Sequence, residues 1–187
     1  MMNYQQMYED ALKDIRTRLE ILCSEFQIDN QIDSRIKTPG SIYLKMIKYG
    51  IIPSLDSALE HIHDIAGIRV VCCNQRDIYS LEKLLLDHDD LILITRKDYI
   101  EHPKKSGYRS LHIIVKVPVT CDGAVFEIPV EIQLRTKVMD YWASLEHKLQ
   151  YKNNGINNRY SVLLFDCANK LAETEREMET LYEKIGA

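Results

Sequence analysis

The segment Ile128–Thr136 (IPVEIQLRT) reads as a strand whose two faces differ in chemistry, because apolar and polar side chains alternate with a period of two. Val130, Ile132 and Leu134 point one way, into a core. Glu131, Gln133 and Arg135 line up on the other side. An acid, an amide and a guanidinium in one row also suit a solvated edge strand, and the segment by itself leaves both readings open. The rest of the chain bears on that choice, since it sends further basic and carboxylate groups toward a row of this kind.

From Asn3 to about Phe26 the pattern is helical, with Met7, Ala11, Ile15, Leu19 and Leu22 at spacings of three and four. A polar loop follows. Pro39-Gly40 then breaks the chain, and Ser41 is the expected cap of a short helix running to about Tyr49. Between Ser34 and Leu55 stand four basic residues (Arg35, Lys37, Lys45, Lys48) and no acidic one. Lys45 and Lys48 share a helix face, with Ser41 one turn earlier, an arrangement that suits a polyphosphate or a solvated basic helix. A second short helix, about Ser54 to Ile62 with Ser54 as cap, delivers a loop that enters a buried strand ending in Cys72-Cys73. Asp64 sits at the mouth of that strand and Arg69 on it. The His63-Asp64 dipeptide lacks the further His and Asp ligands of a metal phosphohydrolase.

An amphipathic helix is expected over Arg76–His88 and a short strand over Leu91–Ile94. The segment Arg96–Arg109 then reads as a long, basic loop broken by Pro103 and Gly107, the kind of loop that carries function. Within it Tyr108 is placed either to stack on a base or to anchor the loop. Ser110–Val117 alternates again, and Asp122-Gly123 signals a hairpin turn into the strand that holds Glu131. That pairing puts His112 on the face of Glu131 and Gln133. Thr136 caps a helix over Lys137 to about Tyr151 with Val138, Tyr141, Trp142, Leu145 and Leu149 as its apolar stripe, ended by Asn153-Asn154-Gly155. A last helix, about Asn158 to Ile185, carries Val162, Phe165, Leu171 and Leu181.

These parts make one domain of 187 residues, of α/β (α+β) class, with a mixed sheet of about five strands flanked by helices. No apolar run reaches the length of a membrane span, and the N-terminus lacks a basic region followed by an apolar one, so a cytoplasmic chain without membrane attachment is expected. Its five cysteines show no C-x-x-C spacing and are expected to be buried, reduced thiols. A net charge of −4 disfavours broad non-specific binding of nucleic acid. Two carboxylates at strand ends (Asp64, Glu131) among basic loops suggest Mg²⁺ completed by water and phosphate oxygens, with lysines offsetting phosphoryl charge. On these grounds the chain is a nucleotide phosphotransferase or nucleotidyltransferase with no named acceptor.

The motifs S-R-I-K-x-x-x-S-I-x-x-K, D-I-A-G-I-R, K-D-Y-I-x-x-P-K-x-S-G-Y-R-S-L-H, E-I-Q-L-R-T and M-D-Y-W-A-S-L-E-H-K-L-x-Y-K occur in that order from Ser34 to Lys152. Together they resemble the synthetase domain of the RelA/SpoT family, most closely its stand-alone small alarmone synthetases. The resemblance implies a nucleotidyltransferase-like fold and transfer of pyrophosphate from ATP to the ribose 3′-hydroxyl of GDP or GTP, giving ppGpp or pppGpp and AMP. By position, Arg35 and Arg69 would sandwich the adenine, and Lys37, Ser41, Lys45 and Lys48 would hold the ATP phosphates. Asp64 and Glu131 would bind Mg²⁺, with Glu131 also the base for the 3′-hydroxyl. Tyr108 would stack on guanine, Lys104, His112 and Gln133 would engage the acceptor, and Lys97 would face phosphate.

Long members of the family carry a hydrolase domain and regulatory domains for which this chain has no room, so synthesis without degradation is expected. Asp140 stands where some small synthetases have Asn near the guanine. The terminal helices (1–26 and 157–187) resemble those through which small members assemble as homotetramers, in some cases with a central cleft that binds alarmone; regulation by alarmone or RNA is part of that expectation. Rival readings on the same scaffold are a pyrophosphokinase acting on tRNA 3′ ends or adenosine nucleotides, and a non-catalytic nucleotide- or RNA-binding module. The intact G-Y-R-S-L-H and the negative net charge favour a free guanine nucleotide, and retention of both carboxylates favours catalysis.

Overall fold

A computed structural model of the chain describes residues 4–152 and 158–185. The elements in order are α1 (Tyr4–Glu25), β1 (Asn30–Ile36), α2 (Pro39–Lys48), α3 (Leu55–His61), β2 (Ala66–Cys72), α4 (Gln75–Leu86), β3 (Ile92–Asp98), β4 (Leu111–Cys121), β5 (Ala124–Thr136), α5 (Lys137–Lys152) and α6 (Asn158–Ile185). The five strands form one sheet in the order β1-β2-β5-β4-β3. Only β2 and β5 run parallel; the other three pairs are antiparallel, so the sheet is mixed as expected.

One face of this sheet is the core. Met7, Ala11, Ile15 and Leu19 of α1 and Ile78, Leu81 and Leu85 of α4 pack on Ile68, Val70, Leu111, Ile113, Val115, Val130, Ile132 and Leu134. Each fully buried aliphatic side chain there contributes about 1.5–3 kcal/mol. Both prolines of the β4–β5 hairpin lie where a missing N–H does no harm. Pro129 falls one residue before β5 starts pairing with β2 at Val130, and Pro118 lies beyond the end of β3. At the hairpin tip Asp122 and Gly123 both take positive φ (50° and 79°), which gives the expected tight turn its twist.

Several expectations need correction. The polar loop after α1 contains β1, which pairs along the outer edge of β2. Its sequence, NQIDSRI, has no clean alternation because no residue of this edge strand is fully buried. The long basic loop is shorter than expected, since Arg96, Lys97 and Asp98 belong to β3. Ser41 does not cap α2. Thr38 does, accepting from the Ser41 backbone N–H at 3.3 Å, and Pro39 opens the helix, where its fixed φ fits. Ser54 and Thr136 cap α3 and α5 as read.

The apolar stripe of α5 also differs: Met139, Trp142 and Ala143 are buried, whereas Tyr141 and Leu145 face out. On α6 the buried positions are Ala168, Ala172 and Glu175, and Val162, Phe165 and Leu181 are exposed. Of the cysteines only Cys23 and Cys72 are buried, with thiols pushed up by burial to about 11 and about 12. Cys73 and Cys167 are exposed, the first because β2 has already ended. The expected Asn153-Asn154-Gly155 stop lies outside the described residues.

Candidate active site

The second face of the sheet carries no helix of the α1–α4 layer, and its side chains are polar. Register alone lines them up. Asp33 of β1 stands opposite Arg69 of β2, Arg69 beside Gln133 of β5, Gln133 opposite His112 of β4, and His112 opposite Lys97 of β3. One polar row thus crosses all five strands. The next row runs Arg35, Gly67, Glu131, Ile114 and Thr95. Because pairing partners share a face, the alternation read in β5 extends to the whole sheet.

Asp64, in the turn before β2, forms the first focus. Lys37, just past β1, donates to its Oδ2 at 2.9 Å and to its backbone carbonyl at 3.2 Å. Lys45, in the last turn of α2, donates to the same Oδ2. Burial pushes the Asp64 carboxyl up, but the two ammonium groups outweigh it and hold the acid below its ordinary value. Its other oxygen, Oδ1, is buried and has no hydrogen-bond partner among the described residues. An ionised oxygen left bare, with both lysines addressing its twin, has the lone pairs that a hard cation would use.

Glu131 is the second focus. Gln133 Nε2 donates to its Oε2 at 2.8 Å, and His112 Nδ1 lies 3.4 Å from its Oε1. Burial and the charge of Asp64 raise this acid, while His112 and Gln133 lower it further, so it is ionised at neutral pH. That Asp64 is felt at Glu131 places the two carboxylates in one electrostatic site. Among the described residues no group of three or more His, Cys, Asp or Glu side chains is arranged to hold a metal. A hard divalent cation would therefore draw on these two carboxylates and complete its shell with water and phosphate oxygens, and the orphaned Asp64 Oδ1 fits that role.

Arg135, left out of the expected site, is its hub. Its side chain is only 9% exposed. Nη2 donates to Tyr108 Oη at 2.7 Å and to Gln133 Oε1 at 2.9 Å. Tyr108 Oη in turn lies 2.8 Å from His112 Nε2. The Glu131 carboxylate can only accept, so in a neutral His112 ring the proton sits on Nδ1 facing it, and Nε2 is then the acceptor for the Tyr108 hydroxyl. Both branches from Arg135, through Gln133 and through Tyr108–His112, converge on the Glu131 carboxylate. The period-two pattern had already put Arg135 in this row; its link to Tyr108, 27 residues away, is a tertiary fact.

The loop between β3 and β4 surrounds Tyr108. Lys104 Nζ sits 4.5 Å from the Tyr99 ring centroid and 4.6 Å from that of Tyr108, and burial lowers its pKa. Tyr99 meets Tyr108 and His112 edge-on. The loop is pinned to α6 at Gly107, whose φ is +91° and whose absent Cβ would lie 2.6 Å from Ala168 Cβ. Gly107→Ala should cost about 1–3 kcal/mol through overpacking and backbone strain. A thermal melt should show it as a fall of about 2–4 °C per kcal/mol, and an unchanged melting temperature would dismiss the pin.

Of the expected residues the structure brings together Lys37, Lys45, Asp64, Arg69, Lys104, Tyr108, His112, Glu131 and Gln133 around these two foci. Arg35, Lys48 and Lys97 are exposed at its margins, and Ser41 serves the first turn of α2 through its 2.9 Å contact with Thr38 Oγ1. Arg35 and Arg69 share the site face on neighbouring strands, offset by one pleat repeat. Asp33, Tyr99 and Asp140 join the site without having been expected there as donors or acceptors to its cations.

A family model described as a region found in RelA / SpoT proteins matches residues 34–156. The GTP pyrophosphokinase YwaC of Bacillus subtilis (strain 168) is 40% identical over 173 residues, which are 89% of this chain and 81% of that protein. Among solved structures, the small alarmone synthetase 2 of Bacillus subtilis superposes with a TM-score of 0.88 at 36% identity, covering 97% of this chain and 98% of the other. The small alarmone synthetase 1 of Bacillus subtilis, bound to its product pppGpp, gives a TM-score of 0.88 at 28% identity over 97% and 95% of the two chains.

Proposed function

The chain belongs to the RelA/SpoT family, and from that premise we propose that it is a GTP pyrophosphokinase, moving pyrophosphate from ATP to the 3′-hydroxyl of GDP or GTP. The observation that carries this reading is the division of the polar sheet face. β1, β2 and α2 bring Arg35, Lys37, Lys45, Asp64 and Arg69 from one side, the face for ATP. The β3–β4 segment brings Lys97, Lys104, Tyr108 and His112 from the other, the face for the acceptor. Glu131 stands on β5 between them.

In the reaction the acceptor's 3′-oxygen attacks the β-phosphorus of ATP. The bond from that phosphorus to the α,β-bridging oxygen breaks, AMP departs with this oxygen, and the hydroxyl proton passes to the Glu131 carboxylate. Glu131 is ready to take it because it is held ionised. Lys45 retains two donors and Lys37 one after serving Asp64, and with Lys48 they offset charge on the phosphates. Arg69 offers a guanidinium plane to the adenine, and Tyr108 a ring to the guanine. A magnesium ion held by Asp64 and Glu131 would add Lewis-acid polarisation of the transferred group.

The exposed apolar side chains of α6 (Val162, Leu163, Phe165, Met178, Leu181, Tyr182) support assembly of several copies through the terminal helices, a homotetramer in this reading. No helix among the described residues is long and apolar enough to cross a membrane. The proposed substrates are those of the cytoplasm, and this reading places the enzyme there.

The test is a purified-protein assay with Mg²⁺, ATP labelled on its terminal phosphate, and GDP, GTP, ADP or deacylated tRNA in separate reactions. Label should move to GDP or GTP with release of AMP. Transfer only to tRNA or ADP would overturn the acceptor, and nucleotide binding without any transfer would overturn the enzyme.

A further inference from the structure

Asp140, in the first turn of α5, touches both halves of the site through a single oxygen. Its Oδ1 lies 3.1 Å from Arg135 Nη1 and 3.4 Å from Arg69 Nη1. Arg69 is otherwise held only by Asp33 Oδ2, at 3.1 Å, and its Nε is buried without a partner among the described residues. The Nε of Arg135 is in the same position. Two guanidinium groups close enough to share one acceptor repel each other, and the Asp140 carboxylate is the counter-charge they have in common.

We infer that Asp140 is a positioning residue that couples the ATP and acceptor subsites, so that filling either one favours binding at the other. The inference rests on the pyrophosphokinase reading. A guanidinium that stacks on a base must lie flat, and in-plane hydrogen bonds at its edge are what hold it flat. Arg69 makes one such bond, donating to Asp33, and its second restraint is the 3.4 Å ion pair with Asp140. Arg135 holds Tyr108 through its hydroxyl with Nη2, which also donates to Gln133, and Asp140 fixes its other terminal nitrogen, Nη1. Ordering Arg69 under an adenine fixes Asp140, Asp140 fixes Arg135, and Arg135 fixes the Tyr108 ring before a guanine arrives. The second nucleotide then meets a platform already ordered and loses less conformational entropy on binding.

The coupling can be read directly. The affinity of an ATP analogue with a methylene bridge between its α and β phosphorus atoms is measured by calorimetry with and without saturating GDP. The reverse titration must return the same factor by linkage. The wild-type protein should bind the analogue at least about five-fold tighter when GDP is present, at the lower end of ordinary allosteric coupling. Asp140→Ala should bring this ratio close to one while each nucleotide alone still binds. Asp140→Asn keeps an acceptor oxygen but not the charge and should fall between. Asp33→Asn, which loosens Arg69 on the ATP side only, should weaken the analogue and leave the ratio in place.

A wild-type ratio of one, an unchanged ratio in Asp140→Ala, or an equal collapse in Asp33→Asn would each overturn the inference while leaving the pyrophosphokinase reading intact. A wild-type protein that binds neither nucleotide would overturn both. Should Asp140→Ala fail to fold, Asp140→Asn decides: a ratio below the wild-type value supports the coupling, and an unchanged one overturns it.

Discussion

Glu131→Gln should lower turnover by about three orders of magnitude and leave both the fold and nucleotide binding in place. Gln has nearly the volume of Glu, so the Val130–Ile132–Leu134 core face is undisturbed. Its carbonyl oxygen can still accept from Gln133 Nε2, which replaces the 2.8 Å bond of the native carboxylate with a neutral one. What goes is the charge: in the proposed reaction, the proton acceptor for the attacking hydroxyl and one of two carboxylates that would hold a cation, and in the fold, the group on which the Arg135 network converges. The measurement is kcat at saturating ATP and GDP beside calorimetric binding of each nucleotide. A kcat within ten-fold of wild type would remove Glu131 from the chemistry.

Asp64→Asn should cost about two to four orders of magnitude in turnover, and it should also cost stability in a pH-dependent way. The amide must put its NH₂ on one of the two oxygen positions. If it faces Lys37 and Lys45 it repels them, and if it takes the Oδ1 position it presents a donor where a cation would sit. Losing charge-assisted bonds to two half-buried lysines costs about 1.5–3 kcal/mol. The folded-state pKa of Asp64 lies below its ordinary value of 3.8. Its contribution is therefore complete above that ordinary value and disappears as pH falls through the lower folded one. Denaturant melts of both proteins should show a stability gap at pH 7 that narrows progressively in acid below pH 3.8. A gap independent of pH would mean that the charge of Asp64 does not hold the two lysines.

Period-two alternation was enough to read β5 and the first part of β4, and with them the shared face of Glu131, Gln133 and His112. Helical spacing was enough for α1 and α4. Edge structure was less legible. β1 is a strand because the outer edge of β2 has free backbone groups to pair, which leaves little trace in NQIDSRI. The cap of α2 was misplaced because Ser41 and Thr38 offer the same hydroxyl chemistry, and it is Pro39 at the first helical position that decides for Thr38. Lys37 and Lys45 were legible as cations but not as partners of Asp64, since that contact closes loops of 27 and 19 residues. For Arg135 and Asp140 the side chains were visible in the sequence; the geometry that makes them a hub and a bridge exists only once α5 has turned back across β2 and β5.

The strand order β1-β2-β5-β4-β3 puts the last strand synthesised in the middle of the sheet. While the chain is being made, β1 can pair with β2, and later β3 with β4, as two separate antiparallel pieces. Neither can complete the sheet until β5 emerges and inserts between them. The parallel β2–β5 ladder, from Ala66↔Val130 to Cys72↔Thr136, joins segments about sixty residues apart, the kind of non-local contact that slows folding. A nascent or truncated chain ending before Ala124 therefore holds two unjoined half-sites with exposed strand edges. Its nucleotide chemistry can begin only at the step that also closes the sheet.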